Sequence, residues 1–215
     1  MPTSTKVLKS ESPEAIQVAV DTILAGGIVA IPTDTVYGLA AHGLQPNAIR
    51  RIFEVKQRSL SNAIPLLLAD PDDLAEITQD IMPATQQLAE AFWPGPLSII
   101  VFKRDSLPDV VTAGGNTVAV RMPDHPIALT LIDMVGAPVT GTSANRSGNP
   151  TPPISSEYVM RDLGGSIDLL LDGGACPGGK ASTVIDMTTQ PPTLRRQGPI
   201  TPVQIEEVIE QKIRT

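Results

Sequence analysis

The spacing of apolar residues divides the chain into short helices and short strands. Apolar side chains at positions 16, 19, 20, 23 and 24 recur at helical spacing. They follow Ser12-Pro13-Glu14, which offers a capping hydroxyl, a first-turn proline and an acid near the positive helix end. Gly26-Gly27 ends this pattern. The next segment, 28–31, is entirely apolar and is typical of a strand buried on both faces.

The same patterns continue along the chain and predict a layered α/β fold. Helices are predicted over 46–56, 72–77, 83–92, 126–135, 155–163 and 202–212, and strands over 64–68, 97–102, 118–121, 138–140, 167–171, 183–187 and 193–196. The connection 188–192 is too short for a helical crossover, so the last two strands should be antiparallel and the sheet mixed. The length of 215 residues, without a clear linker, favours one domain over residues 1–215.

Composition and charge argue against several classes of protein. With 23 acidic against 16 basic residues, the formal charge is −7, which disfavours autonomous binding of nucleic acid. A single cysteine, Cys176, excludes an intrachain disulfide and favours a reducing compartment, so we expect a cytoplasmic protein. One cysteine and two histidines cannot supply a structural zinc site. The longest apolar run, 63–69, is far too short to span a membrane.

Several of the basic residues lie where predicted elements end. Lys56 and Arg58 end the second helix, and Arg121 ends a strand. The set also includes Arg146, Arg195 and Arg196. Bases collected at strand-end loops of an acidic protein indicate an anionic ligand held in a crevice. Solvated charge on exposed loops is the alternative for any one of them, but the set as a whole favours a site.

Two polar loops follow buried strands. Residues 141–151 supply hydroxyls, amides and glycines, as phosphate-binding loops do, although a capped polar turn has the same composition. Residues 33–38 place small hydroxyls at a strand end. The segment 174–181 nearly matches a P-loop, but Ala181 replaces the magnesium-binding hydroxyl and a strand is predicted next. We interpret it as a turn that presents Ser182, with Cys176 as an unactivated thiol.

Eight short motifs follow one another along the chain. They are Thr33-Asp-Thr-Val-Tyr-Gly-Leu39, Lys56-Gln-Arg58 with Pro65-Leu66, Trp93-Pro-Gly-Pro-Leu97, Arg121-Met-Pro123, Ser143-Ala-Asn-Arg-Ser-Gly148, Asp172-Gly-Gly174, Ser182-Thr-Val-Ile-Asp186 and Arg196-Gln-Gly198. In this order they resemble the YrdC-like threonylcarbamoyl-AMP synthase family, in its single-domain form. Ser59 departs from the family, which usually has proline there, and this loosens the loop without removing its charges.

The resemblance implies an enzyme, a nucleotidyltransferase that converts L-threonine, bicarbonate and ATP into threonylcarbamoyl-AMP and pyrophosphate. It also implies that a threonylcarbamoyl-transferase complex then modifies the adenosine next to the anticodon of tRNA. The family's fold, a twisted mixed parallel and antiparallel sheet flanked by helices, agrees with the predicted elements. Magnesium (Mg²⁺) is expected to arrive with ATP, because no carboxylate cage is visible in the sequence. No membrane partner is expected.

The resemblance assigns roles to individual residues. L-Threonine is expected to bind to Thr35, Arg121 and Ser182, with the Arg121 guanidinium donating two parallel hydrogen bonds to its carboxylate. ATP is expected at Arg58, Asn62, Thr117, Ser143, Thr151 and Arg196. The catalytic centre is expected at Lys56, Arg58, Ser143 and Asn145, with no resident metal. Because Lys56 and Arg58 lie where a helix ends in a turn, alanine at either position is expected to cost little stability.

Three other interpretations stay open at this point. A carbamoyl-adenylate former, like the related domain of hydrogenase-maturation proteins, would carry acylphosphatase and zinc-finger segments, which this sequence lacks. An RNA-binding module is disfavoured by the charge of −7, although a local basic patch leaves weak contact with tRNA open. A paralogue of the same fold without synthase activity is disfavoured by the joint presence of Lys56, Arg58, Ser143 and Asn145.

Overall fold

A computed structural model describes residues 4–215, which fold into short helices and strands. The helices are α1 (Pro13–Leu24), α2 (Pro46–Lys56), α3 (Leu74–Ile77), α4 (Pro83–Phe92), α5 (Pro126–Val135), α6 (Ser156–Leu163) and α7 (Pro202–Ile209), with a 3₁₀ turn at Pro71–Asp73. The strands are β1 (Lys6–Lys9), β2 (Val29–Ile31), β3 (Gly38–Ala40), β4 (Leu66–Leu67), β5 (Leu97–Phe102), β6 (Thr117–Arg121), β7 (Val139–Thr140), β8 (Thr142–Ser143), β9 (Leu169–Asp172), β10 (Thr183–Asp186) and β11 (Thr193–Arg196).

Most of the predicted elements are confirmed, several of them with the predicted bounds. α1 begins as the sequence indicates, because Ser12 Oγ accepts a hydrogen bond from the backbone of Ala15 at 3.2 Å. Strands β1, β3 and β8 were not predicted from the sequence. β1 is an exposed edge strand, and the other two have only three and two residues, too few to show a period. α7 ends before the predicted limit, because Glu210 adopts the left-handed conformation.

The strands form two sheets, whereas a single sheet was predicted from the sequence. The first sheet has the order β1-β9-β2-β3-β8, and the second has β11-β10-β5-β6-β4-β7. Each contains parallel and antiparallel pairs, so the expected mixed pairing is confirmed, as is the antiparallel pair β10–β11. An antiparallel bridge between His42 and Val139 connects the segment after β3 to β7. The two sheets are therefore joined along a seam where β3 meets β7.

The inner strands β2 and β3 of the first sheet are buried on both faces, as the apolar run 28–31 predicts for β2. Successive strand residues face opposite sides, so β2 contributes to two cores. Val29 and Ile31 pack in a cluster with α1 and α5. Ile28 and Ala30 belong to the larger cluster, which also holds side chains of the second sheet. No helix within residues 4–215 combines the length and the apolar character that crossing a lipid bilayer requires.

We expect the seam to depend on the hydroxyl of Thr140, which is fully buried. Thr140 Oγ1 donates to the carbonyl of Leu39 at 2.8 Å and accepts from the backbone of Ala41 at 3.0 Å. Thr140→Val keeps the shape but removes the acceptor of the Ala41 N–H and one donor to the Leu39 carbonyl, so unfolding should become easier by about 1–3 kcal/mol. Urea unfolding measures this. Thr140→Ser keeps the hydroxyl and should lose less stability, and equal losses in the two variants would contradict the prediction.

Candidate active site

One cavity of about 400 Å³ is lined by residues of both sheets. Its floor is a face of the second sheet, formed by alternate residues of β5, β6 and β10. Its rim includes the turn after β2, strand β8 and the loop after α2. Of the predicted site residues, the lining contains Thr35, Arg58, Thr117, Arg121, Ser143, Ser182 and Arg196. Within residues 4–215, the lining contains no aspartate or glutamate.

Arg121 ends β6 and is held from three directions. Its Nε donates to the carbonyl of Gly95 at 2.9 Å and its Nη1 donates to Thr35 Oγ1 at 2.9 Å, while its Nη2 forms an ion pair with Asp34. The hydroxyl of Thr33 fixes the turn that carries Asp34 and Thr35, because it donates to the carbonyl of Val36 at 2.7 Å. Of the five N–H groups of Arg121, two are left for a ligand.

A second polar group lies across the floor, where β5, β10 and β11 run side by side. Ser98 Oγ and Ser182 Oγ are 2.8 Å apart. Arg196 donates from Nε to the carbonyl of Ser182 at 2.9 Å and from Nη2 to Ser182 Oγ at 3.2 Å. Ser98 was not predicted from the sequence. Its signal was a lone hydroxyl in the otherwise apolar strand β5, whose alternation turns it toward the cavity.

Arg58 enters the cavity from the loop after α2. The helix ends because Gln57 adopts the left-handed conformation. Arg58 then donates from Nε to the carbonyl of Asn62 at 3.0 Å and from Nη2 to that of Ala63 at 2.8 Å. Asn62 itself is exposed and is not among the lining residues, so its observed contribution is this carbonyl. Burial lowers the pKa of both Arg58 and Arg196.

Lys56 lies outside the lining, beneath the loop that follows β8. Its side chain is 2% exposed, and its ammonium donates to the carbonyls of Ser143 and Asn145, the latter at 2.6 Å. Burial is the main cause, and the charge of Arg58 the second, of a pKa lowered to about 8. The expectation that alanine here costs little stability is therefore wrong, because the helix end is buried and its ammonium supports the loop.

Asn145 and Thr151 are also outside the main cavity. Ser143 Oγ donates to Asn145 Oδ1 at 2.7 Å, and the Asn145 amide donates to the carbonyls of Asn149 and Thr151 at 3.2 and 3.3 Å. Asn145 and Thr151 line a separate, smaller cavity of about 220 Å³ beside Tyr158. In this conformation Asn145 orients Ser143, and Ser143 is the member of the motif that faces the main cavity.

The predicted set of bases divides into two groups. Arg58, Arg121 and Arg196 face the cavity, whereas Arg146 lies near Asp162, with their closest charged atoms 3.9 Å apart, and Arg195 pairs with Asp186 at 2.7 Å. Neither Arg146 nor Arg195 is among the lining residues, so the crevice is built by three of the predicted bases together with Lys56 beneath it. Three guanidinium groups facing an acid-free cavity suit small anionic ligands.

The near-P-loop segment is an irregular loop that leads into a strand and not into a helix, so it is not a P-loop, as predicted from the sequence. It leads into strand β10, and the backbones of Gly178 and Gly179 donate to the carbonyls of Asp34 and Thr35 at 3.0 and 2.9 Å. A side chain at 178 would start 2.4 Å from the Asp34 carbonyl, so this close approach requires glycine. Cys176 is buried, and burial raises the pKa of its thiol, which is the opposite of activation.

Comparison with known proteins establishes the family. A family model described as Sua5/YciO/YrdC, telomere recombination, matches residues 21–198. The chain belongs to the Sua5/YciO/YrdC family. This confirms the resemblance drawn from the eight motifs and agrees with the mixed sheets flanked by helices.

Three comparisons illustrate the degree of similarity. The threonylcarbamoyl-AMP synthase of Pyrococcus abyssi is 44% identical over 194 residues, covering 90% of this chain and 57% of that protein. The synthase of Bacillus subtilis is 41% identical over 206 residues, covering 95% and 59%. The crystal structure of P. abyssi Sua5 complexed with L-threonine superposes with a TM-score of 0.92 at 42% identity, covering 98% of this chain and 62% of that one. The chain thus spans about three-fifths of these relatives.

The titration of Lys56 gives a testable pH dependence of stability. Its pKa is about 8 in the folded protein, against about 10.4 in an unfolded chain. Between these values the unfolded chain binds a proton that the folded protein has released, so this group makes stability rise with pH. The free energy of unfolding of the wild type minus that of Lys56→Met should increase by up to about 3 kcal/mol from about pH 8 to about pH 10. A difference that stays flat or falls would contradict it.

Proposed function

We propose that the protein is an L-threonylcarbamoyladenylate synthase, which forms threonylcarbamoyl-AMP and pyrophosphate from L-threonine, bicarbonate and ATP. The observation that carries the proposal is the cavity itself. Arg58, Arg121 and Arg196 converge on it with hydroxyls of both sheets, and its lining within residues 4–215 contains no acid. Such a site can hold an anionic nucleophile and a polyphosphate side by side, although the two repel each other in water.

The amino acid belongs at the Arg121 end of the cavity. The two remaining N–H groups of Arg121 supply charge-assisted donors for a carboxylate. The hydroxyls of Thr35 and Ser182 lie in the same lining. The relative crystallised with L-threonine supports this choice of amino acid, since it superposes over 98% of this chain.

ATP belongs along Arg58 and Arg196, beside Thr117 and Ser143, and its position adjoins that of threonine at Arg196, which also donates to Ser182 Oγ at 3.2 Å. These two guanidiniums are oriented by backbone carbonyls and keep their charge for phosphate oxygens. The loops that carry Arg58 and Ser143 are held in place by four further residues of the predicted site. These positioning residues are Asn62, Asn145, Thr151 and Lys56. Magnesium enters as part of MgATP, with phosphates and water as its ligands, because the cavity lining offers no carboxylate.

The reaction then needs positioning more than proton transfer. Bicarbonate gives carbon dioxide and hydroxide. The threonine amine adds to the carbon dioxide, and the proton that its nitrogen loses combines with the hydroxide to form water, which leaves a carbamate. A carbamate oxygen attacks the α-phosphorus, the bond from that phosphorus to the bridging oxygen breaks, and pyrophosphate leaves. Neutralisation of charge by the arginines and alignment of the carbamate with the α-phosphate account for catalysis. The product would pass in the cytoplasm to a threonylcarbamoyl-transferase complex acting on tRNA.

We predict that release of pyrophosphate from ATP requires both L-threonine and bicarbonate. Serine lacks one methyl group, which a pocket distinguishes by about 10–200-fold, so weak activity with serine is compatible with the proposal. A coupled pyrophosphate assay with each substrate omitted in turn measures this dependence. Equal release without an amino acid would contradict the synthase. Tight tRNA binding at physiological salt by a protein that releases no pyrophosphate would favour an RNA-binding module.

We predict that Arg121→Lys raises the KM for threonine about 10–150-fold and changes the KM for ATP little, because lysine keeps the charge but loses the fork. Each KM is measured at saturating concentration of the other substrate. Arg195→Lys is the matched control, since Arg195 pairs with Asp186 and is not among the lining residues. A defect confined to ATP, or an equal defect in both variants, would remove Arg121 from the threonine site.

A further inference from the structure

The three arginines of the cavity differ in how their charge is compensated. Within residues 4–215, Arg58 and Arg196 form no ion pair and are held by carbonyl and hydroxyl oxygens. Arg121 also donates a hydrogen bond to a carbonyl, that of Gly95, but in addition it forms an ion pair with Asp34. One end of an otherwise cationic cavity is therefore electrically near neutral, and the residue responsible is Asp34.

Asp34 is fixed immediately behind Arg121. Its side chain is 13% exposed and that of Arg121 is 8% exposed, so solvent screens the pair weakly. The turn that carries it is held from both sides, by the hydroxyl of Thr33 and by the backbone of Gly178, which donates to the Asp34 carbonyl at 3.0 Å. Asp34 is not among the lining residues, so it acts on the cavity without touching a ligand, by holding Arg121 in place and by the electric field of its charge.

We propose that Asp34 reserves the Arg121 end of the cavity for an amino acid and excludes phosphate from it. This inference rests on the proposed function, which places a carboxylate and a polyphosphate in the same cavity. In that role Asp34 is a positioning and specificity-determining residue, because its oxygen holds Arg121 in place while its charge limits which anion Arg121 accepts.

The physical reason lies in the different charges of the two ligands. An amino acid is a zwitterion, so its carboxylate meets Arg121 while its ammonium is attracted by a nearby acid. A phosphate group carries about −1.5 to −2 charges at neutral pH and has no cationic part, so the same acid repels it. Without Asp34, Arg121 would join Arg58 and Arg196 as a third site for phosphate. The charge of Arg196 already reaches Arg121, whose pKa is lowered by burial and, less strongly, by this neighbour.

Threonine binding in the presence of pyrophosphate tests the proposal without turnover. Calorimetry gives the threonine Kd for the wild type, Asp34→Asn and Asp34→Glu, each with and without inorganic pyrophosphate. In the wild type, pyrophosphate should leave the threonine Kd unchanged. In Asp34→Asn, threonine should bind roughly 10-fold more weakly, and pyrophosphate should now compete with it. Asp34→Glu keeps the charge and should keep pyrophosphate out.

Asp168→Asn is the matched control, because Asp168 pairs with Arg51 at 2.9 Å and is not among the cavity-lining residues. It should behave as the wild type does in both titrations. Circular dichroism verifies folding, and Asp34→Ser replaces Asp34→Asn if the latter does not fold. The inference is overturned if pyrophosphate competes with threonine in the wild type. It is also overturned if pyrophosphate competes in no folded variant that lacks the Asp34 charge. Either result leaves threonine binding, and with it the proposed function, intact. A wild type that binds no threonine overturns the proposed function as well.

Discussion

The architecture depends on the seam where the two sheets exchange hydrogen bonds. Thr140 binds the strand opposite with its hydroxyl and also donates from its backbone to the carbonyl of Ala41 at 2.9 Å. The next residue, Gly141, lets the chain pass from β7 in the second sheet to β8 in the first. A side chain there would lie 2.5 Å from Leu67 Cγ. Ser143 follows two residues later and lies on the rim of the cavity. The seam therefore sets the position of this part of the rim relative to the second sheet, which forms the floor.

The basic residues show how this protein holds positive charge in place. Backbone carbonyls accept from Arg58, Arg121, Arg196 and Lys56. A carbonyl dipole orients a cation without cancelling its charge, so the cavity stays attractive to anions. Removal from water still disfavours the charged form, which is why burial lowers the pKa of each of these groups. The same groups therefore serve both loop structure and ligand binding.

Local sequence was sufficient for much of the fold and for part of the site. The periodicity of α1, its cap at Ser12 and the doubly buried run of β2 follow from nearest neighbours along the chain, and the structure confirms them. Short strands such as β8 were not predicted, because two residues show no periodicity and their strand character comes from pairing with residues distant in sequence. The division of the strands into two sheets was likewise unpredictable, since pairing is a long-range property.

The sequence by itself determined the family, through eight motifs in order, and the residue types from which an anion site is made. Tertiary structure alone decided which of those residues meet. Arg196 is brought to the cavity while its neighbour Arg195 is not, because adjacent strand residues point to opposite faces. Lys56 is buried under a loop whose carbonyls come from residues 143 and 145. Asp34 meets Arg121 across 87 positions of sequence. Such pairs depend on the packing of distant segments, which no local pattern records.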